Sequence, residues 1–273
     1  MNKKKFALMA ASVALVASTV LFGTLAYFTD RESVANTFTV GNVNINLDEA
    51  VVDENGNLVK EDDTTITMKE YLELQEQNRP ELKRTEDSTD PDDPEGNEYK
   101  LVPGKTYVKD PTMTVAQGSE PAYVRMKVTI SHIDVLDDIF AAINAKVDPD
   151  ITIMNIFNGH DNAVWEFKGQ VKDESTSPST ITYEFRYRDA SVTPVNTVNA
   201  VDAQDDITLE PLFESFTVPG YFGSQQIQDL KDMTITVVGE AIQSDTFADE
   251  DEAWGAFETQ MAVDSAYSGT TQP

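Results

Sequence analysis

The stretch Ala122-Tyr123-Val124-Arg125-Met126-Lys127-Val128-Thr129-Ile130 sorts its side chains into two sets. Ala122, Val124, Met126, Val128 and Ile130 alternate with Tyr123, Arg125, Lys127 and Thr129. A period of two puts each set on its own side of an extended chain, the pattern of an amphipathic β-strand. Ser131 follows as a candidate N-cap, with Asp134 placed to favour the positive end of a helix. Ile133, Leu136, Ile139, Phe140 and Ile143 then recur at helical spacing, a stripe expected to cover an edge or end of the sheet.

Outward from this stretch the period of two returns. Ile181, Tyr183, Phe185 and Tyr187 alternate with Thr182, Glu184, Arg186 and Arg188. Met233, Ile235 and Val237 do so with Thr234, Thr236 and Val238. Residues 36–49 read as strand as well, Val43, Ile45 and Leu47 alternating with Asn42, Asn44 and Asn46, with a bend expected at Gly41. A short helix is expected over residues 245–257. Many alternating strands with few helices give a mainly β chain, an antiparallel β-sandwich with two or three short helices. Periodicity does not separate jelly-roll from immunoglobulin-like connectivity. Core packing is the expected role of Tyr183, Phe185 and Tyr187, and pairing with neighbouring acids that of Arg186 and Arg188.

Residues 48–98 differ in character, with 18 acids and 5 bases. Asp53-Glu54-Asn55-Gly56-Asn57 predicts a hairpin turn. Thr67 and Glu70 have capping-box spacing, opening a short helix that reaches about Asn78 before Pro80. Asp90-Pro91-Asp92-Asp93-Pro94 is a charged, proline-broken loop. Residues 50–99 are read as an acidic insertion on the β core.

The 273 residues include 48 Asp+Glu, 20 Lys+Arg, 2 His and no Cys, for a net charge of -28. Without cysteine there is no disulfide scaffold, no thiolate metal site and no thiol nucleophile. The charge argues against nucleic acid and against anionic membrane surfaces. Lys3, Lys4 and Lys5 precede a largely apolar run over residues 6–22 and then Gly23-Thr24-Leu25-Ala26, the layout of a secretory signal peptide. Residues 1–26 are expected to be removed between Ala26 and Tyr27, so that any membrane association runs only through the uncleaved signal. Three lysines and no acid leave with it, deepening the net charge to -31.

Motifs for catalysis are missing. There is no His-Glu-x-x-His, Gly-x-Ser-x-Gly, Gly-x-Gly or Walker loop. His132 and His160 read as capping or surface residues. The Asp53–Asn57 turn fails as an EF-hand: its glycine comes fourth and Thr64 stands where the bidentate glutamate belongs. No catalytic residue, cofactor or metal ligand is expected, and the chain is read as a non-enzyme.

Gly23-Thr24-Leu25-Ala26-Tyr27-Phe28-Thr29-Asp30 followed by Asn36-Thr37-Phe38-Thr39-Val40-Gly41 resembles the start of TasA/camelysin family proteins. Leu101-Val102-Pro103-Gly104, Gly118-Ser119-Glu120-Pro121 and Pro211-Leu212-Phe213 resemble the family more loosely, and residues 50–99 are read as lying outside its pattern. The resemblance implies a jelly-roll-like β-sandwich, one domain over residues 27–273, exported by Gram-positive bacteria and processed by a SipW-type signal peptidase. It implies a secreted biofilm-matrix protein that joins copies of itself head to tail, with other matrix components as further partners. Residues 27–36 would act as a donor strand, leaving their own subunit to complete the next. Tyr27, Phe28, Thr29, Asp30, Val34 and Asn36 are the candidate polymerisation residues, Phe28 and Val34 being anchors on one face of a single strand. Alternatives are a monomeric surface module binding glycan or calcium, and a camelysin-like metallopeptidase, which two histidines do little to support.

Overall fold

The computed structural model describes residues 29–33, 36–40, 43–53, 55–75, 78–85, 97–144 and 153–268. The strands are β1 (Thr29–Ser33), β2 (Asn36–Val40), β3 (Ile45–Asp48), β4 (Leu58–Val59) and β5 (Thr65–Ile66). After them come β6 (Thr106–Val108), β7 (Thr112–Val115), β8 (Ala122–Ser131), β9 (Phe157–Asn158) and β10 (Trp165–Asp173). The last are β11 (Thr180–Tyr187), β12 (Thr197–Val198), β13 (Ile207–Thr208), β14 (Ser215–Thr217) and β15 (Ile235–Gln243). The α-helices are α1 (Met68–Glu73), α2 (Ile133–Asn144), α3 (Ser224–Asp229) and α4 (Glu250–Ser268).

β8, the strand read first from the sequence, lies in the middle of the main sheet. It pairs antiparallel with β11 on one side and β15 on the other, in the order β10-β11-β8-β15-β1-β2. Val124, Met126, Val128 and Ile130 are fully buried. They face one apolar core shared with residues of two three-stranded sheets, β13-β7-β3 and β6-β14-β9. The chain is mainly β, with antiparallel sheets and a few helices, as the alternation predicts. Ile133, Leu136, Ile139 and Phe140 of α2 join the same core. Tyr183 and Phe185 are buried in it as expected.

Local departures have physical reasons. Residues 36–49 are not one strand: β2 ends at Val40 in the main sheet, and β3 starts at Ile45 in another. Ser131 does not cap α2. Its hydroxyl accepts from the Thr234 backbone at 2.9 Å, which keeps it in the β8 edge of the ladder. The helix start is served across the chain by Ser179, whose Oγ accepts from the Asp134 N–H at 3.2 Å and donates to its carboxylate at 2.8 Å. Between them His132 takes φ +59°, the turn that redirects strand into helix. α1 has the expected capping box but stops at Glu73. The C-terminal helix starts later and runs much further than expected, over 19 residues.

The acidic stretch carries a small core of its own, Ala50, Val52 and Leu58 against Val108, with Ile66, Met68, Tyr71 and Leu82 packed on it. Arg84 ties it to the sandwich, donating to Asp48 and Asp110 at 2.6 Å each.

At the far edge of the main sheet, β10 is largely exposed. Its register against β11 shifts between Phe167 and Gly169, a β-bulge. Lys168 and Lys172 are on this strand.

Candidate assembly edge

The described part of the candidate donor segment is a strand of its own subunit's sheet. β1 lies between β15 and β2 and is antiparallel to both. Its register against β15 sets Thr29 opposite Ile242, Arg31 opposite Glu240 and Ser33 opposite Val238. Against β2, Thr29 stands opposite Val40 and Ser33 opposite Asn36. β1 and β2 thus form an antiparallel pair, with Ser33 opposite Asn36. Thr29, Asp30 and Asn36 lie in it. Ala26, Tyr27, Phe28 and Val34, and with them the cleavage point, lie outside the described residues, as does the bend expected at Gly41.

The sequence of β1, Thr-Asp-Arg-Glu-Ser, holds no apolar residue. The strand thus offers the sheet a backbone ladder, without the apolar side chains whose burial is the larger stabilising contribution of the other strands. β15 is built differently. Val237, Ala241 and Ile242 are buried, and Gly239 is packed so closely that a Cβ there would come within 2.6 Å of Met113 Cε. That strand belongs to the core, and the hairpin is added to it.

The face of the main sheet away from the core carries an ionic layer that the sequence reading only partly found. Arg125 is 1% exposed. It donates to Glu240 at 2.6 Å and pairs with Glu258 of α4 and with Glu184 at 3.4 Å. Its guanidinium lies 4.1 Å from the Trp254 ring centroid and 5.1 Å from that of Phe257. Arg186 pairs with Glu184 at 2.7 Å and Asp251 at 2.5 Å, and Arg188 with Glu166, the acid pairing expected of both. Burial raises the Glu258 carboxyl, but hydrogen bonds from Lys127 and Arg125 outweigh it and hold the group below its ordinary range. Arg186 does the same for Asp251. What sequence missed is that these charges meet a helix. The acidic run Asp249–Glu252 beside Trp254 was the available signal.

A model of the family described as camelysin metallo-endopeptidase matches residues 1–83. Over these residues the chain is similar to camelysin-type proteins. The match takes in β1 to β5 and α1 and reaches into the acidic stretch as far as residue 83. The looser resemblances beyond residue 100 lie outside the match. No curated protein and no solved structure matches the chain.

The camelysin name implies a metal, and the donors among the described residues do not fit one. His132 Nδ1 is 3.0 Å from Ser131 Oγ, while His160 Nδ1 is 3.0 Å from the Leu212 carbonyl and its ring stands edge-on to Phe185. Among the described residues no three His, Asp or Glu side chains are grouped to hold a metal ion. Nor is any described helix long and apolar enough to cross a membrane.

Proposed function

We propose that this chain is a secreted structural protein that polymerises into extracellular matrix fibres by exchange of its N-terminal strand. The N-terminal segment leaves β15 of its own subunit, and the same segment of a neighbouring copy takes the vacated place. The observation that carries this reading is that β1 pairs with the core strand β15 and brings no apolar residue to the sheet. A strand held that way costs little to release, because an identical strand restores the same ladder. The contact is head to tail and so extends rather than closes. The camelysin/TasA match over the same residues supports it, and the reading carries no enzymatic activity. Export and cleavage after Ala26 by a SipW-type peptidase would free the segment.

Mature protein starting at Tyr27 should form fibres visible by electron microscopy, and protein lacking residues 27–36 should stay monomeric with its β-sheet circular dichroism intact. Normal fibres from the truncated form would sink the proposal. The camelysin name favours a second reading, a metallopeptidase. Stoichiometric zinc in the purified protein, with proteolysis lost on His132→Ala or His160→Ala, would establish it instead.

A further inference from the structure

The base of the acidic stretch holds a cluster that assembly does not use. Glu49 follows β3, Lys109 lies between β6 and β7, and Asn97 lies on the segment that leads into β6. Glu49 and Lys109 are buried, at 9% and 6% exposure. Lys109 Nζ donates to Glu49 Oε2 at 2.8 Å. Asn97 Nδ2 donates to the other oxygen, Glu49 Oε1, at 3.0 Å. One carboxylate thus holds an amine and a carboxamide side by side.

The backbone fixes which way the carboxamide points. The Val52 N–H donates to Asn97 Oδ1 at 2.8 Å, and Asn97 Nδ2 donates to the Ala50 carbonyl at 2.9 Å. A donor must meet oxygen and an acceptor must meet nitrogen, so the orientation is determined by its partners. Tyr99 stands beside the cluster, its hydroxyl donating to the Val108 carbonyl at 2.8 Å and its ring packed edge-on against Tyr107 and Phe216.

A buried Lys–Glu pair is a poor way to gain stability, because the desolvation of both charges offsets their attraction. A buried amine held beside a polarised carboxamide has a chemical use. We propose that Lys109 and Asn97 become joined by an intramolecular isopeptide bond, with Glu49 as the proton carrier.

The reaction balances within the cluster. The Lys109 ammonium gives a proton to Glu49, leaving a neutral amine. The Nζ lone pair attacks Asn97 Cγ; the Nζ–Cγ bond forms and the carbonyl electron pair moves to Oδ1, where the Val52 N–H already donates. Glu49 passes its proton to Nδ2 and takes a second from Nζ. Collapse of the intermediate breaks Cγ–Nδ2 and releases ammonia, which leaves with the proton remaining on Glu49 as ammonium. An ammonium and a primary carboxamide have become a secondary amide and an ammonium ion, with no oxidant or cofactor. Burial and shared hydrogen bonding supply the proximity such a step needs.

The product is a covalent tie between the end of the acidic stretch and the sandwich, in a chain with no cysteine. Peptide mapping of the purified protein tests it. Trypsin cuts after Arg84, Lys100, Lys105 and Arg125, so the bond should join peptide 85–100 to peptide 106–125, at a mass lower than their sum by one ammonia. The linked pair should be absent from Glu49→Ala and from Lys109→Met. Complete recovery of peptide 85–100 unlinked, with peptides 106–109 and 110–125 from cleavage after a free Lys109, overturns the proposal. So does loss of ammonia from peptide 85–100 alone, which marks a cyclic imide at Asn97. The decisive reading is made on the wild-type protein, so poor folding of a variant leaves the test intact.

Discussion

The guanidinium of Arg125 lies 4.1 Å from the ring centroid of Trp254.

That contact joins three elements through one side chain. Arg125 is carried by β8, reaches β15 through Glu240, and reaches α4 through Trp254, Phe257 and Glu258. Guanidinium suits the place because it is flat enough to stack on an indole while its edge donates to carboxylates.

Replacing it should therefore be costly. Arg125→Ala leaves Glu240, itself 1% exposed, deprived of its main counter-charge. Breaking one side of a buried ion pair costs about 3–5 kcal/mol, so the urea midpoint of the variant should fall sharply. A loss below about 1 kcal/mol would show that Lys127, 3.4 Å from Glu240, takes over the pairing.

Acid should loosen α4. Glu258 and Asp251 have folded pKa values below their unfolded ones. Such groups contribute stability that is present above the unfolded carboxylate pKa, about 4, and is lost as pH falls through the lower folded value. Trp254 fluorescence should change on acidification below about pH 4. In Glu258→Gln with Asp251→Asn the change should be smaller, and an equal change would place the acid response elsewhere.

Gly56 should not accept a side chain. Its φ is +73°, and a Cβ would stand 2.8 Å from Tyr107 Cδ1. Gly56→Ala should destabilise by about 1–3 kcal/mol, from the strained backbone and the displaced ring together. Thermal melts of the two proteins measure it, and equal melting temperatures would count against a rigid turn.

Assembly should respond to salt. With a charge of -28, or -31 after loss of residues 1–26, copies repel until ions screen them. The Debye length falls from about 30 Å at 0.01 M to about 8 Å at physiological ionic strength. Light scattering should show faster fibre growth across that range, and a flat response would remove charge as a brake.

The strands with strict alternation were legible because one face is apolar and packs into the main core while the other carries polar and charged groups. β8, β11 and β15 declare themselves in this way. Ser131 was misread because a serine before a helix has the same appearance whether its hydroxyl serves the helix or a neighbouring strand. The choice was made by Thr234, a hundred residues away. The pairing of β1 with β2 was not legible because β1 has no apolar residue from which to read a face. The Arg125 cluster was half legible: paired charges were foreseen, but the helix that covers them shows little periodicity of its own.

The bulge at Gly169 and the lysines beside it have a consequence for shape. They leave β10 an irregular, charged rim that discourages another strand from pairing there. The main sheet can then be extended at one rim only. Under the proposed strand exchange, fibres would then have no lateral route of growth through this rim, and widening by sheet merger at β10 would be disfavoured.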